Sequence, residues 1–341
     1  MILKKFFYEI DRFKGFLFTI FFKKKIEERL KKILFSLSIE TTNICNANCI
    51  FCAYQHQKRG EGIMSMDLFK KIIYEYVDCG GGNIGLTPTV GEPLADKLLI
   101  ERIKFSRQFT QVKKIGIYSN IISLKKFGIE NIVTSGLTDL VVSTSGFDKD
   151  MYQRVYRSSM YEKMYSNLLE LISINNKFNN PIDITVSMRS DMSLSETLNL
   201  KDYKYLIKFL PENKIDYKFR YDNWAGKIKQ KDLTGHMKLR NKNYAIRMSP
   251  CSEFFSGPHV YWNGDVGICG CRDVDGKELI IGNVNLEKIN NIWYNSKHLK
   301  LMNEFIENPR EICKNCSHYN NISIFQTKEN KVLLDAKKNI Y

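Results

Sequence analysis

Apolar and polar positions follow two rhythms along the chain, and these predict strands and helices in turn. Short runs rich in β-branched and aromatic residues indicate buried strands. Longer stretches with apolar residues three and four positions apart indicate amphipathic helices, such as the one that Ser65 begins as an N-cap. The six predicted strands are 34–42, 83–89, 114–120, 139–146, 183–190 and 216–223.

Helical patterns fill the intervals between these strands. Six β–α units in series predict a parallel sheet with right-handed crossovers. Because a closed barrel needs eight units, we expect an α/β fold with a partial, TIM-like (β/α)6 barrel or an open sheet. Functional groups should then lie at the carboxyl ends of the strands. The predicted helices are 65–77, 98–108, a short one after Ser123, 148–178 and 201–210.

A different pattern follows the sixth strand. A polar stretch without a strand pattern precedes a hairpin at 259–270, which turns at Asn263-Gly264, and a helix near 286–306. This predicts a small α+β domain after the barrel. We interpret residues 1–33 as a basic amphipathic segment and 34–223 as the core. Residues 224–250 would form a linker or covering loop, 251–318 the small domain and 319–341 a polar tail.

The charge balance limits the classes of partner. The 341 residues include 52 Lys and Arg against 37 Asp and Glu, a formal net charge of +15. Segment 1–33 interleaves phenylalanines with lysines, which predicts either a helix capping the open barrel or an interfacial helix on an anionic membrane. No apolar run approaches the ~20 residues that span a bilayer. We expect a cytoplasmic protein, peripheral to the membrane if the second interpretation holds.

Nucleic acid is not an expected partner, because the basic residues are spread over many helices and form no nucleic-acid-binding module. Nine cysteines without a secretory pattern point instead to metal ligands. Cys45, Cys49 and Cys52 follow the first strand. Three thiolates on one loop can bind three irons of a cube and leave the fourth open. A zinc site completed by His56 is the alternative.

The segment 39–55, IETTNICNANCIFCAYQ, resembles the signature of the radical S-adenosylmethionine (radical SAM) enzymes. The resemblance implies that the three cysteines hold a [4Fe-4S] cluster whose fourth iron is chelated by S-adenosylmethionine (SAM). Phe51 matches the aromatic residue that precedes the third cysteine. TVGEPLAD (89–96) resembles the Gly-Gly-Glu-Pro segment that binds the methionine amino group: Gly91, Glu92 and Pro93 match, whereas Val90 replaces the first glycine.

Weaker matches extend the predicted SAM site. The resemblance places Ser119, Asn120 and Ser143 at strand ends near the cofactor, and Arg157 where many members approach the methionine carboxylate with an arginine. The alternative for each of them is an ordinary polar position at a strand end or on a helix.

Cysteines recur in the small domain, in an order that resembles the SPASM extension and, more closely, its shortened twitch form. The resemblance implies that one auxiliary [4Fe-4S] cluster is held there, and an all-cysteine zinc site is the alternative. Cys271 lies two residues beyond one of these ligands and is a spare ligand, a hydrogen-atom donor or a buried spectator. The four predicted ligands are Cys251, Cys269, Cys313 and Cys316.

Such an enzyme cleaves SAM to a 5′-deoxyadenosyl radical, and the cofactors carry the difficult chemistry. We expect a small polar substrate, such as a sugar or aminocyclitol alcohol, which is oxidised while the auxiliary cluster accepts an electron from it. Tyr221, Asp222 and Trp224 are the candidate substrate contacts. A flavodoxin or ferredoxin would supply electrons. Epimerisation, peptide maturation, RNA modification and a structural metal-binding role are the alternatives.

Overall fold

The computed structural model describes residues 36–240, 251–270 and 272–319. The six predicted strands form one parallel sheet in sequential order, and the sheet stays open as an incomplete barrel. The prediction of an α/β partial barrel is therefore confirmed. The strands are β1 Ser36–Ile39, β2 Gly82–Gly85, β3 Val112–Ser119, β4 Asp139–Ser145, β5 Asp183–Arg189 and β6 Ile215–Tyr217.

Helices connect these strands and bury their apolar faces against the sheet. The first helix begins where its sequence provides an N-cap. The Ser65 hydroxyl accepts a hydrogen bond from the backbone N–H of Leu68 at 3.1 Å. Its buried side is formed by Phe69, Ile72, Ile73 and Tyr76. The helices of this half are α1 Met66–Asp78, α2 Leu99–Ser106, α3 Ile129–Val133, α4 Lys149–Tyr156, α5 Tyr161–Lys177, α6 Leu194–Asn199 and α7 Lys201–Leu206.

Two predicted elements are divided in the structure. The helical stretch 148–178 forms α4 and α5, because Arg157 adopts a left-handed conformation with φ of 49° and ends α4. The sixth predicted strand ends early, and its continuation β7 (Arg220–Tyr221) leaves the main sheet. It pairs in parallel with β8 (Lys238–Leu239), so the polar stretch 224–250 is not strandless as predicted.

The small domain extends the same sheet instead of forming a separate one. The hairpin strands β9 (His259–Val260) and β10 (Asp265–Gly267) are followed by β11 (Ile280–Asn283), and β9 pairs in parallel with β1. The sheet therefore has nine strands, in the order β11-β10-β9-β1-β2-β3-β4-β5-β6. The hairpin turn is at Asn263-Gly264 as predicted, with Gly264 at φ 92°. This shared sheet joins the small domain to β1, the strand that leads into the first group of cysteines.

Four short helices complete the described chain, and two of them divide the predicted helix 286–306. None of the helices within the described residues combines the length and apolar composition needed to cross a bilayer. The amphipathic segment 1–33 and most of the tail fall outside those residues. The remaining helices are α8 Glu253–Ser256, α9 Ile289–Trp293, α10 Ser296–Glu307 and α11 Glu311–Asn315.

Candidate active site

The first three cysteines are presented on a closed loop, residues 43–62, at the carboxyl end of β1. The side chain of Asn43 holds the two ends of this cysteine loop together. Its amide N–H donates to the carbonyl of Gly60 at 2.9 Å, and its carbonyl oxygen accepts from the backbone N–H of Gly62 at 2.8 Å. The loop therefore keeps its shape through the protein's own hydrogen bonds.

The chemistry of these thiols fits a cationic group between them. Burial, and then the charge of Glu92, raises the pKa of Cys45 to about 12. Burial and the neighbouring thiolates also raise the pKa of Cys49, and burial raises that of Cys52. Three thiolates at neutral pH therefore require the positive charge that bound iron supplies. Among the described residues, no three His, Cys, Asp or Glu side chains are grouped to hold a metal ion. The cysteines share a cavity, as a cluster of several atoms requires.

The loop after β2 is joined directly to the cysteine loop. The backbone N–H of Glu92 donates to the carbonyl of Ile44 at 2.8 Å. Gly91 makes this approach possible: its φ is 141°, and a Cβ there would lie 3.0 Å from the Cα of Asn43. Val90, which departs from the family motif, is buried. It packs against Ala53 of the cysteine loop and Val274 of the small domain.

Glu92 fastens the ends of β2 and β3 to each other. Its carboxylate accepts hydrogen bonds from the Ser119 hydroxyl at 2.5 Å, the Asn120 N–H at 2.8 Å and the Leu94 N–H at 3.1 Å. Burial raises the pKa of Glu92 to about 7, against the lowering effect of these bonds. The predicted SAM contacts on two strands thus form one hydrogen-bonded unit.

A cavity of about 290 Å³ opens in front of this unit. It brings together the first three cysteines and most of the predicted SAM and substrate contacts, whereas Pro93 does not line it and begins a short 3-10 turn. The predicted residues that line the cavity are Cys45, Cys49, Phe51, Cys52, Gly91, Glu92, Ser119, Asn120, Ser143, Tyr221, Asp222 and Trp224.

Arg157 is placed elsewhere. It is exposed and donates to the side-chain carbonyl of Gln55 at 2.9 Å. Arg189, which sequence reasoning missed, lines the cavity instead: it donates to the Ser143 hydroxyl at 2.8 Å, and its guanidinium lies 5.0 Å from the ring centre of Phe51. The available signal was its place at the end of a predicted strand, the same criterion that selected Ser143.

The second group of cysteines faces a smaller cavity of about 30 Å³ in the small domain. Its other walls are mainly apolar, and the backbone N–H of His318 lies 3.2 Å from the Cys316 sulfur, to which it donates. Cys271 lies outside the described residues. The predicted ligands that line this cavity are Cys251, Cys269, Cys313 and Cys316.

A single wall separates the two cavities. The Trp224 indole N–H donates to the carbonyl of Phe51 at 2.8 Å, and the guanidinium of Arg272 lies 4.5 Å from the indole ring centre. Arg272 also pairs with Asp222 at 2.5 Å. Arg272 and His318 line both cavities. Both follow a cysteine closely in the sequence, and that proximity was the signal that could have selected them.

Comparison with known protein families matches both halves. Residues 39–187, which include the cysteine loop, match the radical SAM superfamily, and residues 251–317 match SPASM, an iron–sulfur cluster-binding domain. The chain belongs to the radical SAM superfamily. A radical SAM enzyme with a SPASM domain contains a [4Fe-4S] cluster that binds SAM. Its SPASM domain binds additional iron–sulfur clusters.

Similarity to curated proteins is distant. GTP 3′,8-cyclase of Vibrio cholerae is 23% identical over 149 residues, 42% of this chain and 44% of the relative, so the match spans less than half of that relative's length. GTP 3′,8-cyclase of Vibrio atlanticus is 21% identical over 256 residues, which are 72% of this chain and 74% of the relative.

Solved structures share the fold at low identity. SuiB of Streptococcus suis bound to precursor peptide SuiA has a TM-score of 0.59 at 15% identity, covering 89% of this chain and 77% of that one. BtrN in complex with AdoMet and 2-DOIA has a TM-score of 0.53 at 19% identity, covering 84% and 93%.

Proposed function

We propose that the two groups of cysteines hold the two clusters. Cys45, Cys49 and Cys52 would hold the SAM-binding cluster, since they line one cavity with the Glu92 unit. The remaining four, Cys251, Cys269, Cys313 and Cys316, would hold the auxiliary cluster. The mainly apolar walls of the second cavity favour buried, fully protein-ligated irons.

The SAM site would be formed by the loops after β2, β3 and β4. Gly91 and Glu92 would receive the methionine amino group, and Ser119, Asn120 and Ser143 would provide further polar contacts from the same cavity. Phe51 offers an apolar face beside them. Arg189 is better placed than Arg157 for the methionine carboxylate, because its guanidinium faces this cavity.

We further propose that the enzyme is an oxidoreductase that dehydrogenates a small polar alcohol. When bound, the clusters and SAM supply a radical that takes a hydrogen atom from the carbinol carbon and an acceptor for one electron, so that with loss of one proton the alcohol becomes a ketone. The observation that carries this proposal is the shared wall: Arg272 and His318 face both cavities. A substrate against this wall would lie beside the auxiliary site.

The cavity favours a small molecule over a long peptide. Its volume is about 290 Å³, and Tyr221, Asp222 and Trp224 line it with polar and aromatic groups. The chain shares its fold with one protein solved with 2-DOIA and with another solved with a precursor peptide. A peptide is therefore the second substrate class to test.

The test uses protein purified and reconstituted without oxygen. We expect about eight irons per chain, since each [4Fe-4S] cluster contributes four. Flavodoxin or ferredoxin should support formation of 5′-deoxyadenosine. An alcohol deuterated at the carbinol carbon should transfer deuterium to this product and yield a ketone. Incorporation of solvent deuterium into an isomerised alcohol would indicate epimerisation instead, with Cys271 as the predicted hydrogen donor.

The double variant Cys313→Ser, Cys316→Ser separates the roles of the two sites. It should lose about half of the iron and all ketone formation while retaining reductive cleavage of SAM. Cys79→Ser is the matched control, because this half-buried thiol on the C-terminal side of α1 belongs to neither site. Ketone formation by the double variant would refute the acceptor role, and modification of peptides alone would refute the alcohol substrate.

A further inference from the structure

The mouth of the larger cavity has a cationic edge that the proposed reaction does not require. Lys218, Arg220 and Arg240 line the cavity from the segment between the end of β6 and the end of β8. Arg220 and Arg240 are exposed, whereas Lys218 and the three cysteines of the same cavity are half-buried, so the two arginines lie nearer the solvent than the cysteines. A neutral sugar needs no such concentration of positive charge.

The carboxylates of the cavity do not neutralise this edge. The Glu92 carboxylate already accepts hydrogen bonds from Ser119 and Asn120, and the Asp222 carboxylate is paired with Arg272. Within the described part of the chain, Arg220 and Arg240 form no ion pair with a carboxylate. Lys218 pairs with Asp216, but both side chains are at least 40% exposed, so solvent screens this pair.

The edge is also held in place relative to the cysteine loop. β7 and β8 pair in register, Arg220 opposite Lys238, and the Arg240 N–H donates to the Tyr221 carbonyl at 2.8 Å. Tyr221 is buried, with its ring centre 5.7 Å from that of Phe51 on the cysteine loop. The strand pair that carries Arg220, with Arg240 directly after it, is therefore anchored to the floor of the cavity.

We propose that the substrate carries a phosphoryl group, which Lys218, Arg220 and Arg240 bind at the mouth while the reacting carbon lies deeper. Guanidinium groups bind phosphate oxygens in pairs, and a lysine adds a compact charge. Arg220 and Arg240 line one cavity without a carboxylate partner among the described residues, and such a pair of cations attracts a group with more than one negative charge. This inference rests on the proposed function, because it names the class of alcohol: a sugar phosphate or a nucleoside-diphosphate sugar.

Binding to the anaerobically reconstituted enzyme with SAM tests this by titration calorimetry. The probes are glucose, glucose 1-phosphate, UDP-glucose and inorganic pyrophosphate. We expect the phosphorylated probes to bind at least about tenfold more tightly than glucose, with affinity falling as salt rises. The monoester and diphosphate probes distinguish the two substrate sources.

Two variants and one control locate the contact. Arg220→Gln and Arg240→Gln should each weaken binding of the better phosphorylated probe about tenfold. Lys238→Gln is the matched control, since it removes one charge from the same strand pair at an exposed residue outside the cavity lining of the described chain. It should change binding less than about twofold. Equal affinity for glucose, or an equal loss in Lys238→Gln, would overturn the inference.

The outcome also separates this inference from the proposed reaction. Tight phosphate binding that depends on Arg220 and Arg240, without any ketone product, would support the phosphoryl site and refute dehydrogenation. Ketone formation from an unphosphorylated sugar, unchanged in both arginine variants, would support dehydrogenation and refute the phosphoryl site.

Discussion

Gly91 joins the cysteine loop to the loop after β2, and Gly91→Ala should open this junction. The glycine has φ of 141°, a region that L-residues rarely adopt. An added Cβ would lie 3.0 Å from the Cα and 3.1 Å from the carbonyl carbon of Asn43. Both are backbone atoms, so neither can rotate away as a flexible side chain would.

The cost has two parts. Holding alanine in this conformation costs about 1–3 kcal/mol. Separating the loops also lengthens the 2.8 Å hydrogen bond from the Glu92 N–H to the Ile44 carbonyl, worth about 0.5–1.5 kcal/mol. We therefore expect Gly91→Ala to lose about 2–4 kcal/mol of unfolding free energy and to bind SAM more weakly, because Glu92 moves with the loop.

Urea unfolding, followed by tryptophan fluorescence, measures the first effect, and calorimetry with SAM measures the second. Gly60→Ala is the matched control on the cysteine loop: no atom lies within 4 Å of its added Cβ, and Gly60 has no positive φ. It should change stability by less than about 1 kcal/mol. If both variants unfold at the same urea concentration and bind SAM as the wild type does, the close approach does not hold the loops together.

Three further predictions test the packing behind the site. Arg59→Met should lower the free energy of unfolding in urea by about 3–5 kcal/mol, because it leaves the fully buried carboxylate of Glu40 without its cation. Adding Glu40→Gln to this variant should recover part of the lost stability. Burial lowers the pKa of His259 from 6.5 to about 3, so unfolded chains bind the proton first and His259 should by itself lower the unfolding free energy by about 1.4 kcal/mol from pH 7.5 to 5.5; the difference in unfolding free energy between the wild type and His259→Gln should change by this amount over that range. Trp224→Phe removes the indole donor to the Phe51 carbonyl and should lower stability by about 1 kcal/mol, whereas an unchanged urea midpoint would show that this bond is dispensable.

The strand and helix periods predicted the barrel because they are local properties of the chain. A buried strand such as β4 (Asp139–Ser145) and an amphipathic helix such as α1 (Met66–Asp78) show their burial in their own residues. The two points where predicted elements are divided were missed because they are not local properties of the chain. The left-handed turn at Arg157 and the departure of β7 from the sheet depend on contacts with distant residues, which no local period encodes.

The class of chemistry could be predicted from the amino-acid sequence, because residue types and motifs are properties of the chain. Cysteines at close spacing after the first strand predicted metal ligands, and their resemblance, with the Gly91-Glu92-Pro93 segment, to the radical SAM signature predicted the SAM site. The tertiary structure alone decided what surrounds that chemistry. Pairing of β9 with β1 joins the small domain that carries Arg272 to the sheet, and Arg272 lies over Trp224; pairing of β7 with β8 brings Arg220 and Arg240 to the same cavity. Such pairings join residues far apart in sequence and depend on the packing of the whole sheet, which local pattern does not specify.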